Sequence, residues 1–268
     1  MMNWLAYFPP DPQDASECLT VNAPSLTPLL ADIKHRLQTR QGFSIATLNL
    51  DHLVKLRHDR AFRRAYLAHS HVTADGNPIV MLGRIARQPL SLIPGSELIA
   101  PLAAIAAECR APVALFGSTP TTLDRAAARL EAAHPGLRIV AKIAPSMRFD
   151  PQGAEARAHA KTLQESGAQI CFLALGAPKQ EQFAAWAQGR APHIGFVSIG
   201  AGLDFIAGTQ RRAPKWARAI AAEWLWRLLS NPRRLAKRYA ACFAILPRLI
   251  CLAAKTRWQD RPGDSRHI

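Results

Sequence analysis

From about residue 25 the chain alternates between amphipathic helical stretches and short apolar runs. Ser25 stands where a helix cap belongs, ahead of a helical pattern that reaches about Gln38. Gly42 closes that stretch, and Phe43–Leu48 follows as a strand. Further strand candidates are Val72–Ala74, Val113–Phe116, Leu137–Val140, Ile170–Leu175 and Ile194–Ile199. Several are apolar at every position, as expected of strands covered on both faces of a parallel sheet. Ala-rich amphipathic stretches over 121–134, 153–166 and 180–189 lie between them. This alternation predicts an α/β core over residues 25–208, with a mainly parallel sheet and right-handed crossovers.

After Gly208 the strands stop and three helical pieces are expected. The first opens at Ala213-Pro214 and runs to about Leu229. Asn231-Pro232 starts the second, which Pro247 is expected to interrupt. In the helix from Pro232, Leu235, Tyr239, Cys242 and Leu246 share one stripe, with Arg233, Arg234, Lys237 and Arg238 opposite. Residues 240–254 are apolar apart from Pro247 and Arg248, which suits a helix lying in a membrane interface. No uninterrupted apolar run reaches the ~18 residues of a spanning helix. The pattern thus divides the chain into an N-terminal extension (1–24), the core (25–208), a helical appendage (209–258) and a short tail (259–268).

Charge sharpens that division. Residues 1–207 hold 20 basic and 16 acidic side chains, a net +4, whereas residues 208–268 hold 14 and 3, a net +11. Four of the six tryptophans fall in the same basic region. Such a segment implies an anionic partner: nucleic acid, a lipid surface or a phosphorylated substrate. The five cysteines are widely spaced and form no Cys-x-x-Cys, against a disulfide framework or zinc site and in keeping with a reducing cytoplasm. The first residues show no basic region followed by an apolar run, so a secretion signal is not expected.

In an open parallel sheet, ligands bind beyond the carboxyl ends of the strands. Four ends carry polar, glycine-flanked groups: Thr47-Leu48-Asn49, Ala74-Asp75-Gly76, Gly176 through Glu181, and Gly200 through Asp204. Each has a plainer reading as a helix cap or connecting turn. Asp75 suits an N-cap position, and Gly117-Ser118-Thr119-Pro120 suits either a phosphate or hydroxyl capping. The accumulation at one edge favours a site. Gly200-x-Gly202 is followed by Phe205 where a dinucleotide fingerprint needs glycine, and no Walker-type loop is present. There is no Asp-x-Asp, the usual carrier of a divalent ion on a nucleotide-sugar diphosphate. His69, His71 and Asp75 are a weaker alternative, as ligands of a metal hydrolase. A basic nucleic-acid-binding protein is a second alternative, disfavoured because basic residues alternating with an apolar surface suit lipid better.

Taken in order, the motifs resemble the WecG/TagA/CpsF family of bacterial glycosyltransferases. The matching pieces are Thr47-x-Asn49, Ala74-Asp75-Gly76, Gly176-x-Pro178-x-Gln180-Glu181, Gly202-x-Asp204-Phe205-x-Ala207-Gly208 and Arg212-Ala213-Pro214-x-Trp216. Glu223-Trp224-Leu225-x-Arg227-Leu228, Asn231-Pro232-Arg233-Arg234 and Arg238-Tyr239 complete the set. The resemblance implies a Rossmann-like core with a basic C-terminal appendage, and inverting, metal-independent transfer. The sugar would be N-acetylmannosamine, its uronic acid or glucose, moved from UDP to a polyprenyl-diphosphate-linked saccharide. It implies no cofactor beyond the UDP-sugar co-substrate, and a peripheral position on the inner face of the cytoplasmic membrane. Asp75 would be the general base. Thr47, Asn49, Gly76, Gln180, Glu181 and Asp204 would serve the substrate pocket, and Arg227, Arg233, Arg234 and Arg238 would meet diphosphate groups. One position departs: Leu92 stands where many members have an arginine, three residues before Gly95. A homo-oligomer is a further expectation, since the apolar tail offers a surface to a neighbouring subunit.

Overall fold

A computed structural model describes residues 1–8, 17–210, 226, 228, 229 and 232–259, and of Arg234 the backbone alone. Six strands form one sheet: β1 (Phe43–Leu48), β2 (His71–Ala74), β3 (Val113–Gly117), β4 (Ile139–Ile143), β5 (Ile170–Ala174) and β6 (Gly195–Ser198). Their order is β2-β1-β6-β5-β3-β4, and every pair is parallel. The α/β reading therefore holds, with the Rossmann-like arrangement of a parallel sheet between helical layers. β1 and β3 are buried at every position because helices cover both faces.

Side chains along β1 separate the two layers. Phe43 and Ile45 face α1 (Leu26–Gln38), α5 (Gly95–Glu108), α6 (Pro120–Ala133) and α9 (Gly202–Ala207). Ala46 and Leu48 face α2 (Leu50–His58), α3 (Arg60–Leu67) and α4 (Asn77–Ile85). Farther along that second face, α7 (Ala154–Glu165) and α8 (Lys179–Gln188) cover β3 and β5. After β1 the chain enters α2 on one face, and after β6 it enters α9 on the other. The pair β3 and β5 diverges in the same way, into α6 and α8. Neighbouring strands that send their chains to opposite faces leave a crevice beyond their carboxyl ends.

Sequence and structure part company at three places. Within the expected N-terminal extension, the described residues Met2, Trp4, Leu5, Tyr7, Leu19 and Val21 are buried with α2, α3 and α4. Asn22 Oδ1 accepts the Val72 N–H at 2.7 Å, and the Ala23 N–H donates to the Val72 carbonyl at 3.1 Å. This stretch thereby closes the open edge of β2, which an unprotected edge strand requires. β4 runs two to three residues later than its apolar run suggested. As the other edge strand it is only partly covered, and Lys142 breaks its apolar pattern.

The third difference is the C-terminal helix, α10 (Pro232–Gln259), which is continuous through Pro247. Pro247 sits on the exposed side of the helix, away from the packed face. The buried stripe is Cys242, Ile245, Leu249 and Ala253, packed against α2 and α4. Of the predicted stripe only Cys242 is fully buried; Leu235, Tyr239 and Leu246 are half-buried. Without the break, Leu235–Gln259 is long and apolar enough to cross a membrane by length and composition, a reach the sequence reading did not give it. The piece predicted over 213–229 lies outside the described residues apart from Trp226, Leu228 and Leu229, all helical.

Candidate active site

Asp75 follows the last residue of β2, and its N–H donates to the Leu48 carbonyl at 2.7 Å, which fixes it beside the end of β1. Its carboxylate Oδ2 accepts from Asn49 Nδ2 at 3.3 Å. Asn49 does two things at once, since its Oδ1 accepts the His52 N–H at 2.9 Å and caps α2. The N-cap position of α4 falls on Gly76, not on Asp75 as the plainer reading had it. Gly76 has φ +103°, a conformation that glycine alone adopts without strain, and it turns the chain away from the half-buried Asp75.

At the β5 and β6 ends, one side chain binds two loops. Gln180 Oε1 accepts from the Gly176 and Gly200 N–H groups, each at 3.2 Å, and its Nε2 donates to Glu181 Oε1 at 2.8 Å. Gln180 and Glu181 are buried beneath the strand ends, where Gln180 ties the two loops together. Burial, reinforced by the Asp51 carboxylate, pushes the Glu181 pKa up to about 7, against the Gln180 hydrogen bond and Lys55. Tyr66 feels both Glu181 and Asp75, and burial followed by these two carboxylates holds its hydroxyl well above the usual phenol range. Its oxygen shares a 2.7 Å hydrogen bond with His52 Nδ1. Burial lowers the His52 pKa to about 3, leaving a neutral ring under the site.

Thr47 is buried on the α5 side of β1. There α5 begins so close to the β6 end that a Cβ on Gly95 would lie 2.6 Å from the Ser198 carbonyl oxygen. The first turn of α5 is therefore set against the sheet edge, and a helix N-terminus attracts anions. Leu92, the departure from the family pattern, bridges Ala74 through its backbone and is 41% exposed, one residue along β2 from Asp75. Asp204 lies toward β3: its Oδ1 accepts from Ser118 Oγ at 2.9 Å and from Thr209 Oγ1 at 3.3 Å. Thr119 caps α6 through the Thr122 N–H, so the hydroxyl-capping reading of that turn is the one realised.

Of the four arginines, Arg238 is placed most directly. Its Nε lies 2.9 Å from Asp51 Oδ1, in the first turn of α2 beyond Asn49. Asp51 also pairs with Lys55, at 2.8 Å. Arg233 is exposed in the first turn of α10, Arg234 is placed by its backbone there, and Arg227 lies outside the described residues. Asp51, Lys55, His52 and Tyr66 were missed by the sequence reading. The apolar spacing of α2 and α3 gives them away only as helix residues.

The metal-hydrolase trio does not assemble. His69 precedes β2 with its Nδ1 on the Ala65 carbonyl at 2.7 Å, and His71 pairs with Asp32 at 2.9 Å at the opposite end of β2 from Asp75. Among the described residues no three His, Cys, Asp or Glu side chains are grouped to hold a metal ion.

The model of the glycosyl transferase WecG/TagA/CpsF family matches residues 18–263 of this chain. The chain belongs to that family. It is a glycosyltransferase, of the kind used in cell-envelope polysaccharide synthesis. A relative from Bacillus subtilis (strain 168) is 24% identical over 202 residues, covering 75% of this chain and 77% of its own length. That relative is an N-acetylglucosaminyldiphosphoundecaprenol N-acetyl-beta-D-mannosaminyltransferase. The match extends through Arg227 and α10, so the basic appendage is part of the family unit.

Proposed function

We propose that this glycosyltransferase moves a hexose or N-acetylhexosamine-type sugar from UDP to a polyprenyl-diphosphate-linked saccharide, with inversion and without a metal ion. N-acetylmannosamine, its uronic acid and glucose are the sugars in view. The observation that carries the reading is Asp75, half-buried at the β2 end and hydrogen-bonded to Asn49 at the β1 end. Inversion needs one positioned carboxylate. As the acceptor oxygen forms its bond to the anomeric carbon, its proton passes to Asp75, and the carbon–oxygen bond to UDP breaks with its electron pair going to the diphosphate. The Asn49 amide keeps the carboxylate aimed across the crevice. Gln180 fixes the Gly176 and Gly200 loops that wall it, and Thr47 and Gly76 shape its floor.

The departing diphosphate gains charge that must be stabilised. Arg238 and the N-terminal turn of α5 supply donors that need little reorganisation, and the remaining arginines of the appendage belong to the same task. α10 also carries exposed Phe243, Ile250 and Trp258 beside Arg248, Lys255 and Arg257. Apolar and basic groups together suit an anionic membrane surface, where a lipid-linked acceptor resides, and this supports a peripheral position on the inner face of the cytoplasmic membrane. The test is UDP release in EDTA across a panel of UDP-sugars, with and without a lipid-diphosphate-linked acceptor. Acceptor-dependent release from one donor supports the reading, and release that requires a divalent ion overturns its metal-independent part.

A further inference from the structure

We propose that Asp51 is a positioning residue that presents Arg238 to the substrate diphosphate, with Lys55 tying the same carboxylate to the loop after β5. The identity of the anion rests on the transferase reading above; the geometry stands by itself. Asp51 lies two residues past Asn49, with its side chain only 11% exposed. Its Oδ1 meets Arg238 Nε at 2.9 Å and its Oδ2 meets Lys55 Nζ at 2.8 Å. Lys55 Nζ also donates to the Ala177 carbonyl at 3.2 Å. One carboxylate thus joins α10, α2 and the Gly176–Pro178 loop.

The edge of the guanidinium that Asp51 takes is what assigns the role. Arg238 approaches Asp51 through Nε while its side chain stays 42% exposed. A guanidinium fixed in this way holds its remaining donors in one plane for two anionic oxygens. α10 itself stays docked through Cys242, Ile245, Leu249 and Ala253, so loss of Asp51 frees the side chain without releasing the helix.

The sign of the effect is diagnostic. By charge alone, removing a carboxylate from beside an arginine strengthens anion binding. A positioning role predicts the reverse. The experiment is a double-mutant cycle on the full chain, with UDP and inorganic pyrophosphate titrated calorimetrically and the thermal midpoint of each variant recorded. Asp51→Ala is expected to weaken both anions about tenfold, within the usual span of coupled pairs, with the helical spectrum retained. Arg238→Ala should weaken them at least as much, and the double variant no further. Asp51→Asn, nearly isosteric, serves if the alanine variant does not fold, with a loss of about threefold or more expected. Unchanged or tighter binding, additive losses, or no anion binding by the wild type overturns the proposal. Failure of the transferase reading looks different: no UDP-sugar turnover, with the pyrophosphate cycle still coupled.

Discussion

Glu181 sits in the centre of the buried layer under the strand ends, and its proton is measurable. Its Oε1 accepts from Gln180, while its Oε2 has no hydrogen-bond partner. Desolvation, with Asp51 adding to it, raises its pKa from the ordinary 4.5 to about 7. Between those two values the folded protein keeps a proton that the unfolded chain has lost. Stability from this group therefore falls as pH rises through that window, and the loss is complete above about 7. A separation of roughly 2.5 pH units corresponds to about 3 kcal/mol. Glu181→Gln keeps the acceptor for Gln180 and removes the ionisation. The variant should match the wild type near pH 4.5 and exceed it by about 3 kcal/mol at pH 8. His52 and His69, lowered by burial to about 3 and about 4, act with the opposite slope as pH rises toward 6.5. They are common to both proteins and cancel in the difference. Urea unfolding of the pair at about pH 5, 6, 7 and 8 gives that difference directly. A difference that does not change with pH, or that widens toward acid, refutes the reasoning.

Three further outcomes are expected. Leu249→Ala, at a fully buried position facing α2 and α4, should cost roughly 2–5 kcal/mol in urea unfolding, and a loss under about 1 kcal/mol would mean that α10 is not docked there. Gly95→Ala places a Cβ 2.6 Å from the Ser198 carbonyl oxygen and 3.0 Å from Ile199 Cα, both backbone, so α5 must shift. That should cost about 1–3 kcal/mol and weaken UDP-sugar binding by calorimetry; wild-type values for both would contradict the close approach. Tyr66→Phe removes the hydroxyl from His52 Nδ1 and should cost about 1–3 kcal/mol in the same unfolding assay, whereas a neutral result would place water or another group on that nitrogen.

Much of the core was legible because a buried parallel strand leaves an unbroken apolar run. Phe43–Leu48 and Ile170–Leu175 matched β1 and β5 to within a residue. The strand ends also marked where Asn49, Asp75 and Gln180 would stand, since the parallel order turns such positions into one edge. Edge elements were harder. β4 is only partly covered, and Met2, Trp4 and Tyr7 bury themselves without a periodic pattern to announce it. Pro247 predicted a break that packing of Cys242, Ile245, Leu249 and Ala253 overrides, since tertiary burial outweighs one lost backbone hydrogen bond. The Asp51–Arg238 pair joins distant parts of the chain, and no local spacing encodes such a contact. Gln180 shows a subtler limit. Its place in a motif flagged importance, but only the geometry reveals that its carbonyl is committed to two loop amides.

The role of Asp75 is the central claim, and one paired measurement tests it most directly. Acceptor-dependent UDP release in EDTA is followed for the wild type and for Asp75→Asn, with donor affinity measured calorimetrically on both. The account predicts that the variant loses roughly 10²–10⁴-fold in rate, the usual worth of a general base, while UDP-sugar affinity stays within about twofold. A variant that keeps its rate, or one whose donor affinity falls as far as its rate, would show that Asp75 binds or braces the site and that the base lies elsewhere.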